Sequence, residues 1–182
     1  MEMEKNLKER IDNILRTPAL ELDGNAYSGK YELNNVKSIK DFILKKLRNK
    51  KGYANLDTGD KIFISHNSAG KLSMHWMDGN TYQKSLVHIP QIIENMQLLE
   101  EAKPDKENSK YNKYSYYITS VQIDYELHTI LSTVGYTEKG IYYDHNVFEG
   151  TPQEIFTKAK KETNNSKFSR LNEILRKMEK DG

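Results

Sequence analysis

The sequence predicts an α+β fold: an antiparallel β-sheet meander packed against a helix, with additional N-terminal and C-terminal helices. Three observations predict it. Tyr114–Ile123, Leu127–Tyr136 and Ile141–Phe148 are consecutive strand-like runs, and the first alternates so that Tyr117, Val121 and Ile123 share one face. Upstream, Leu86, Ile89, Ile92, Ile93, Met96 and Leu99 give a helical segment an apolar stripe to set against that sheet. Towards the two ends, Leu7, Ile11, Ile14 and Leu15, and again Phe168, Leu171, Ile174, Leu175 and Met178, mark amphipathic helices.

Taken in order, a first helix covers Lys5–Arg16 and ends ahead of Pro18, because the residue before proline disfavours helical backbone. Gly24 and Gly29 punctuate a loop or a short strand pair. A second helix starts near Ser38, with Val36, Ile39, Ile43 and Leu47 as its stripe and Gly52 as its stop. Lys61–Ser65 is a short strand set up by the Thr58-Gly59-Asp60 turn and expected in the same sheet as the meander. Gly70–Met77 is a second strand or an irregular loop, and Met77–Asn80 is a turn. Thr81 opens the helical segment, inside which Pro90 starts a new helix at its first turn. Ala102–Lys110 is a charged, mobile connector, and Thr137–Gly140 is a hairpin signal. Thr151-Pro152-Gln153-Glu154 reads as a capping box opening a helix to about Lys161, and Asn164–Ser166 separates it from the last helix. Residues 1–60 are thus a helical segment packed on the core, 61–150 the α+β core and 151–182 the C-terminal helices, all in one globular unit.

Composition narrows the function classes. The net charge of +2, from 28 basic and 26 acidic residues, predicts no nucleic-acid binding from bulk electrostatics, so any basic surface must be local. One such stretch exists: seven basic residues against the single acid Asp41 between Lys37 and Lys51. Lys45, Lys46 and Arg48 within it are either a contact for RNA, DNA or an acidic protein, or a solvated helix face. The absence of cysteine removes disulfides, thiolate metal sites and cysteine nucleophiles together. No apolar run approaches the ~20 residues a membrane helix needs, and Met1–Lys5 carries no signal-peptide core. A soluble, cytoplasmic protein is expected. Neither a metal nor a cofactor is expected, since no ligand set with metal spacing and no phosphate-cradling glycine loop is present.

The order of segments carries a resemblance. A strand ends in Ile64-Ser65, Ser68-Ala-Gly-Lys71 follows, and Lys84 leads into Leu86-Val-His-Ile-Pro-Gln-Ile-Ile-Glu-Asn-Met96. After the charged connector come Tyr116-Tyr-Ile-Thr-Ser-Val-Gln-Ile-Asp124 and Gly140-Ile-Tyr-Tyr-Asp-His145. Over about half the chain this series resembles the large polyvalent protein-associated domains of phage and conjugative elements, and through them the barnase–EndoU–colicin–RelE-like superfamily. Met96 stands where the similar helix has alanine, Lys71 where some relatives have histidine, and Thr119-Ser120 where many have proline or alanine. The resemblance implies a ribonuclease-like fold and metal-independent RNA cleavage, in which the 2′-hydroxyl attacks phosphorus and leaves a 2′,3′-cyclic phosphate. The alternative is a non-catalytic protein-binding module, such as an inhibitor of a host defence nuclease. The partner is accordingly RNA or a host or phage protein, with the oligomeric state open.

Such cleavage needs a base, an acid and a cation for the phosphorane charge. His75 with Lys84 is the leading catalytic pair, with His66 beside them and Lys71 a second cation. Ser65, Thr119 and Ser120 are candidates to hold a phosphate or orient an imidazole, and Trp76 is a base-stacking residue or a core plug. His88 reads as structural, and His128 and His145 as strand surface. Catalysis requires His75, Lys84 and a third polar group in one open cleft, whereas a binding module requires an exposed apolar or charged patch.

Overall fold

The computed structural model describes residues 6–24, 32–104, 111–138, 140–162 and 164–181. The elements are α1 (Leu7–Arg16), β1 (Leu20–Leu22), α2 (Val36–Phe42) continued by a π-helical turn (Ile43–Leu47), β2 (Tyr53–Ala54), β3 (Lys61–Ile62), α3 (His66–Ser73), α4 (Asn80–Leu86) and α5 (Ile89–Asn95). There follow β4 (Gln97–Ala102), β5 (Tyr111–Ile123), β6 (Glu126–Thr137), β7 (Gly140–Glu149), α6 (Pro152–Lys161), a 3₁₀ turn (Ser166–Phe168) and α7 (Ser169–Asp181). The class is α+β, as expected. Helix starts are set locally: the side chains of Asn6, Asn35, Ser65 and Thr151 each accept a backbone N–H of the first turn that has no partner inside the helix.

β5, β6 and β7 form the antiparallel meander. β4 adds antiparallel to the other side of β5, and β1 pairs parallel with the last residues of β5, so the sheet is mixed. Both faces are covered. On one, Tyr117, Val134 and Tyr143 pack with α2, α3, α4 and α5 through Ile39, Leu72, Leu86 and Ile93. On the other, Tyr116, Ile118, Leu131 and Phe148 pack with α1, α6 and α7 through Ile14, Phe156 and Leu171. The outer strands β7 and β4 have polar groups at their free edges. The Tyr143 N–H donates to Ser68 Oγ at 2.9 Å, the Leu98 N–H donates to Asp57 at 2.9 Å, and Arg10 donates to the Leu99 carbonyl at 2.8 Å.

Several local expectations are corrected. β3 pairs with β2 in its own small ladder instead of joining the meander. The neighbouring Asn55 explains this: its buried amide donates to the carbonyls of Ile93 and Met96, each at 2.8 Å, and so ties the segment to the end of α5. Gly70–Met77 is neither strand nor irregular loop at its start, because Ser65 and Ser68 cap each other reciprocally and open α3. The Leu86–Leu99 stripe is not one helical run: it splits at Pro90 as expected, but α5 ends at Asn95 and the chain turns extended at Met96. Leu99 is therefore a strand residue, buried on the opposite face from Ile93 and Met96. The second helix ends at Leu47 with an extended Arg48, ahead of Gly52. His128 and His145, read as strand surface, are buried. Gly29 and most of the Ala102–Lys110 connector lie outside the described residues. Among the described residues no helix is long and apolar enough to cross a membrane.

Candidate functional site

α3 runs along the outer edge of β7, and this contact positions the turn that follows it. Lys71 places its ammonium 5.7 Å from the centre of the Tyr142 ring. Four residues on, His75 reaches Asp144, which lies two residues beyond Tyr142 on the strand. The imidazole is held from both sides: Nδ1 is 3.1 Å from Asp78 and Nε2 is 3.2 Å from Asp144. Both nitrogens donate at once only in the protonated ring. The hydrogen bond to Asp144 pushes the His75 pKa up; burial opposes this, and the charges of Asp144 and Asp78 reinforce it. On the same turn Met74, Trp76 and Met77 project outward, with 72%, 38% and 76% of their surface exposed.

Behind this turn lies a buried polar chain. Ser85 Oγ donates to the Tyr82 carbonyl, so at its 2.9 Å contact with His145 it must accept from Nε2–H. That leaves His145 Nδ1 as the acceptor for the Tyr143 hydroxyl at 2.8 Å, and Tyr143 in turn takes a hydrogen bond from Ser132 at 3.0 Å. Every member is thereby satisfied with a neutral imidazole. Burial lowers the His145 pKa to about 4, against a smaller upward pull from Asp144. Tyr82 packs its ring between the two histidines, 5.3 Å from His75 and 5.4 Å from His145.

The candidate residues fall into separate places. Lys71, His75 and Trp76 share the α3–α4 segment beside β7. Lys84 forms an ion pair with Asp124 at the β5–β6 turn. Asp144 is level with Thr133 on β6 while Asp124 lies just before Glu126, and that stretch of β6 spans roughly 24 Å at about 3.4 Å per residue. The structure therefore does not bring Lys84 to His75. His66 accepts a hydrogen bond from Arg48 at 3.2 Å, and Lys45 and Lys46 are exposed on the π-helical turn before it. Ser65 is occupied as the cap of α3. Thr119 is buried and its hydroxyl has no hydrogen-bond partner among the described residues, and Ser120 is half-buried. His88 contacts Gln91 at 2.7 Å and the Asp23 carbonyl at 2.8 Å, consistent with its structural reading. Among the described residues no group of three or more histidines and carboxylates is arranged to hold a metal. Sequence reasoning missed Asp78 as the partner of His75, although its three-residue spacing was a usable signal. It also missed the Ser85–His145–Tyr143–Ser132 chain, whose members meet only through strand pairing and helix packing.

The model of one protein family, large polyvalent protein-associated domain 3, matches residues 30–143, which is more than half the chain. The chain belongs to the large polyvalent protein-associated domain 3 family. This agrees with the phage and polyvalent-protein association inferred from the segment order. The family match contains α3, the Met74–Met77 turn and Lys84 but stops one residue short of Asp144. The His75–Asp144 contact thus joins the family's segment to a residue just beyond it. Comparison with curated proteins and with solved structures gave no match.

Proposed function

We propose that this domain is a non-catalytic protein-binding module on a ribonuclease-like scaffold, and that the Met74–Met77 turn is its contact surface. One observation carries the reading: both ring nitrogens of His75 are taken up by Asp78 and Asp144, while the three large apolar neighbours of His75 point into solvent. An imidazole with no free nitrogen has nothing to offer a 2′-hydroxyl or a leaving oxygen. An exposed methionine–tryptophan–methionine turn, by contrast, suits protein recognition. Tryptophan is a preferred interface anchor, and methionine adapts to a partner's contours. Here the ion pairs of His75 hold the turn in place, which lowers the ordering cost of binding.

The antiparallel meander packed against α4 and α5 supports placing the scaffold with the barnase–EndoU–colicin–RelE-like superfamily. The partner in this reading is a host or phage protein, with a host defence nuclease as the type case. The test is complex formation in extracts of the cells that carry the gene, followed through size-exclusion chromatography. The parent chain is expected to elute in a defined complex. A Met74→Ser/Trp76→Ala/Met77→Ser variant should lose it by about tenfold or more, since interface anchors contribute ~2 kcal/mol or more each. The variant must stay folded, which its thermal melt checks, because Met74 and Met77 are largely exposed while Trp76 is 38% exposed. A parent chain that elutes alone, or a variant that keeps the complex, contradicts the proposal.

A further inference from the structure

The β5–β6 connection has a conformation that its sequence does not favour. Ile123 pairs with Glu126, so Asp124 and Tyr125 alone make the turn. Both have positive φ, 52° and 68°. A two-residue turn of this kind prefers Asn or Asp followed by glycine. Asp124 meets that preference, whereas a tyrosine in the second position is strained by its own Cβ. Among the described residues nothing packs over the ring to compensate, and Tyr125 is 95% exposed. The tip is nonetheless firmly held. Asp124 is ion-paired to Lys84, and the space a Cβ would take at Gly24 is filled by the Asp124 carboxylate. A strained, rigidly mounted and fully presented aromatic is expected where a side chain is kept for contact and not for folding.

The surroundings indicate what it contacts. Leu127, two residues on, is 42% exposed. Glu126 is exposed, as are Glu149 on the adjoining strand and Glu21 on β1. Asp124 is paired with Lys84 and Glu126 lies 3.9 Å from His128 Nε2, so among the described residues the carboxylates of Glu21 and Glu149 stand here without an ion pair. We propose that this hairpin tip is a wedge that inserts Tyr125 into a phenol-sized apolar pocket with a basic rim on a partner protein. The inference rests on the protein-binding reading but uses a surface remote from Trp76.

The test replaces Tyr125 with the photoreactive p-benzoylphenylalanine in the full chain. The protein is irradiated in extract of the cells that carry the gene, and adducts are identified by mass spectrometry. One adduct of defined mass is expected, competed away by excess parent chain. Tyr125→Gly should compete at least tenfold less well while melting at a higher temperature than the parent, since glycine removes the strain. Glu126→Lys should also compete poorly. The same adduct from a photoreactive group at exposed Lys160, or equal competition by Tyr125→Gly, would overturn the proposal. A complex that depends on Trp76 but gives no adduct at position 125 would refute the wedge and leave the protein-binding reading intact. Absence of any complex would refute both.

Discussion

Ile93→Ala is expected to destabilise the fold by ~2–5 kcal/mol, the range for removing a large aliphatic side chain from a closed core. Ile93 is 0% exposed and packs in the cluster that joins α2, α3, α4 and α5 to Tyr117 and Tyr143 of the sheet. The site has little room to collapse, because the Asn55 side chain fixes the carbonyls of Ile93 and Met96 and so holds the end of α5 in place. Urea unfolding of the parent, Ile93→Ala and an exposed control, Glu94→Ala, measures the difference. A change below about 0.5 kcal/mol, typical of surface positions, would show that this face of α5 is misassigned.

Acid should remove a comparable amount of stability through one residue. His145 is neutral in the fold and has a pKa of about 4 there, against the ordinary value of 6.5. The unfolded chain therefore takes up a proton as the pH falls below 6.5, whereas the folded chain resists until about 4. The stability this group contributes is complete above the unfolded pKa and is lost on the way down to the folded one. The loss is about 3 kcal/mol, at 1.36 kcal/mol per pKa unit. His75 does not mask it. Its folded pKa is raised, so its contribution is fully present below 6.5 and declines only as the pH rises through the folded value. Urea midpoints at a series of pH values and constant ionic strength should fall steeply for the parent and less so for His145→Gln. Equal slopes would show that His145 does not carry the effect.

The two predictions draw on parts of the molecule that were unequally legible in the sequence. The meander was readable because Tyr114–Ile123 alternates and Thr137–Gly140 marks its hairpin, and strand periodicity survives any tertiary context. The Pro90 break was readable because proline lacks the N–H that an uninterrupted helix would need there. The Met96–Leu99 stretch was not, since apolar spacing alone cannot tell the end of a buried helix from the start of a buried strand. α3 was missed because its cap is Ser65 with Ser68, without the glutamate or glutamine that usually signals a capping box, and because Gly70 lowers its helix propensity. At the site, His75, Trp76 and Lys71 were found from residue type and proximity in sequence. The decisive partner of His75 is Asp144, 69 residues away. That pairing depends on α3 lying along the edge of β7, which no local pattern encodes. The separation of Lys84 from His75 has the same origin, since α4 carries Lys84 towards Asp124 at the far end of β6.

RNA cleavage by the parent protein tests the central claim most directly. The chain is incubated with total RNA and with tRNA in EDTA, and 2′,3′-cyclic phosphate ends are counted. With both nitrogens of His75 held by carboxylates and Lys84 paired elsewhere, the expected result is no ends above the buffer control. Cleavage that falls by ~10²–10⁴ in a folded His75→Ala variant, the size of effect a lost acid or base produces, would contradict the account.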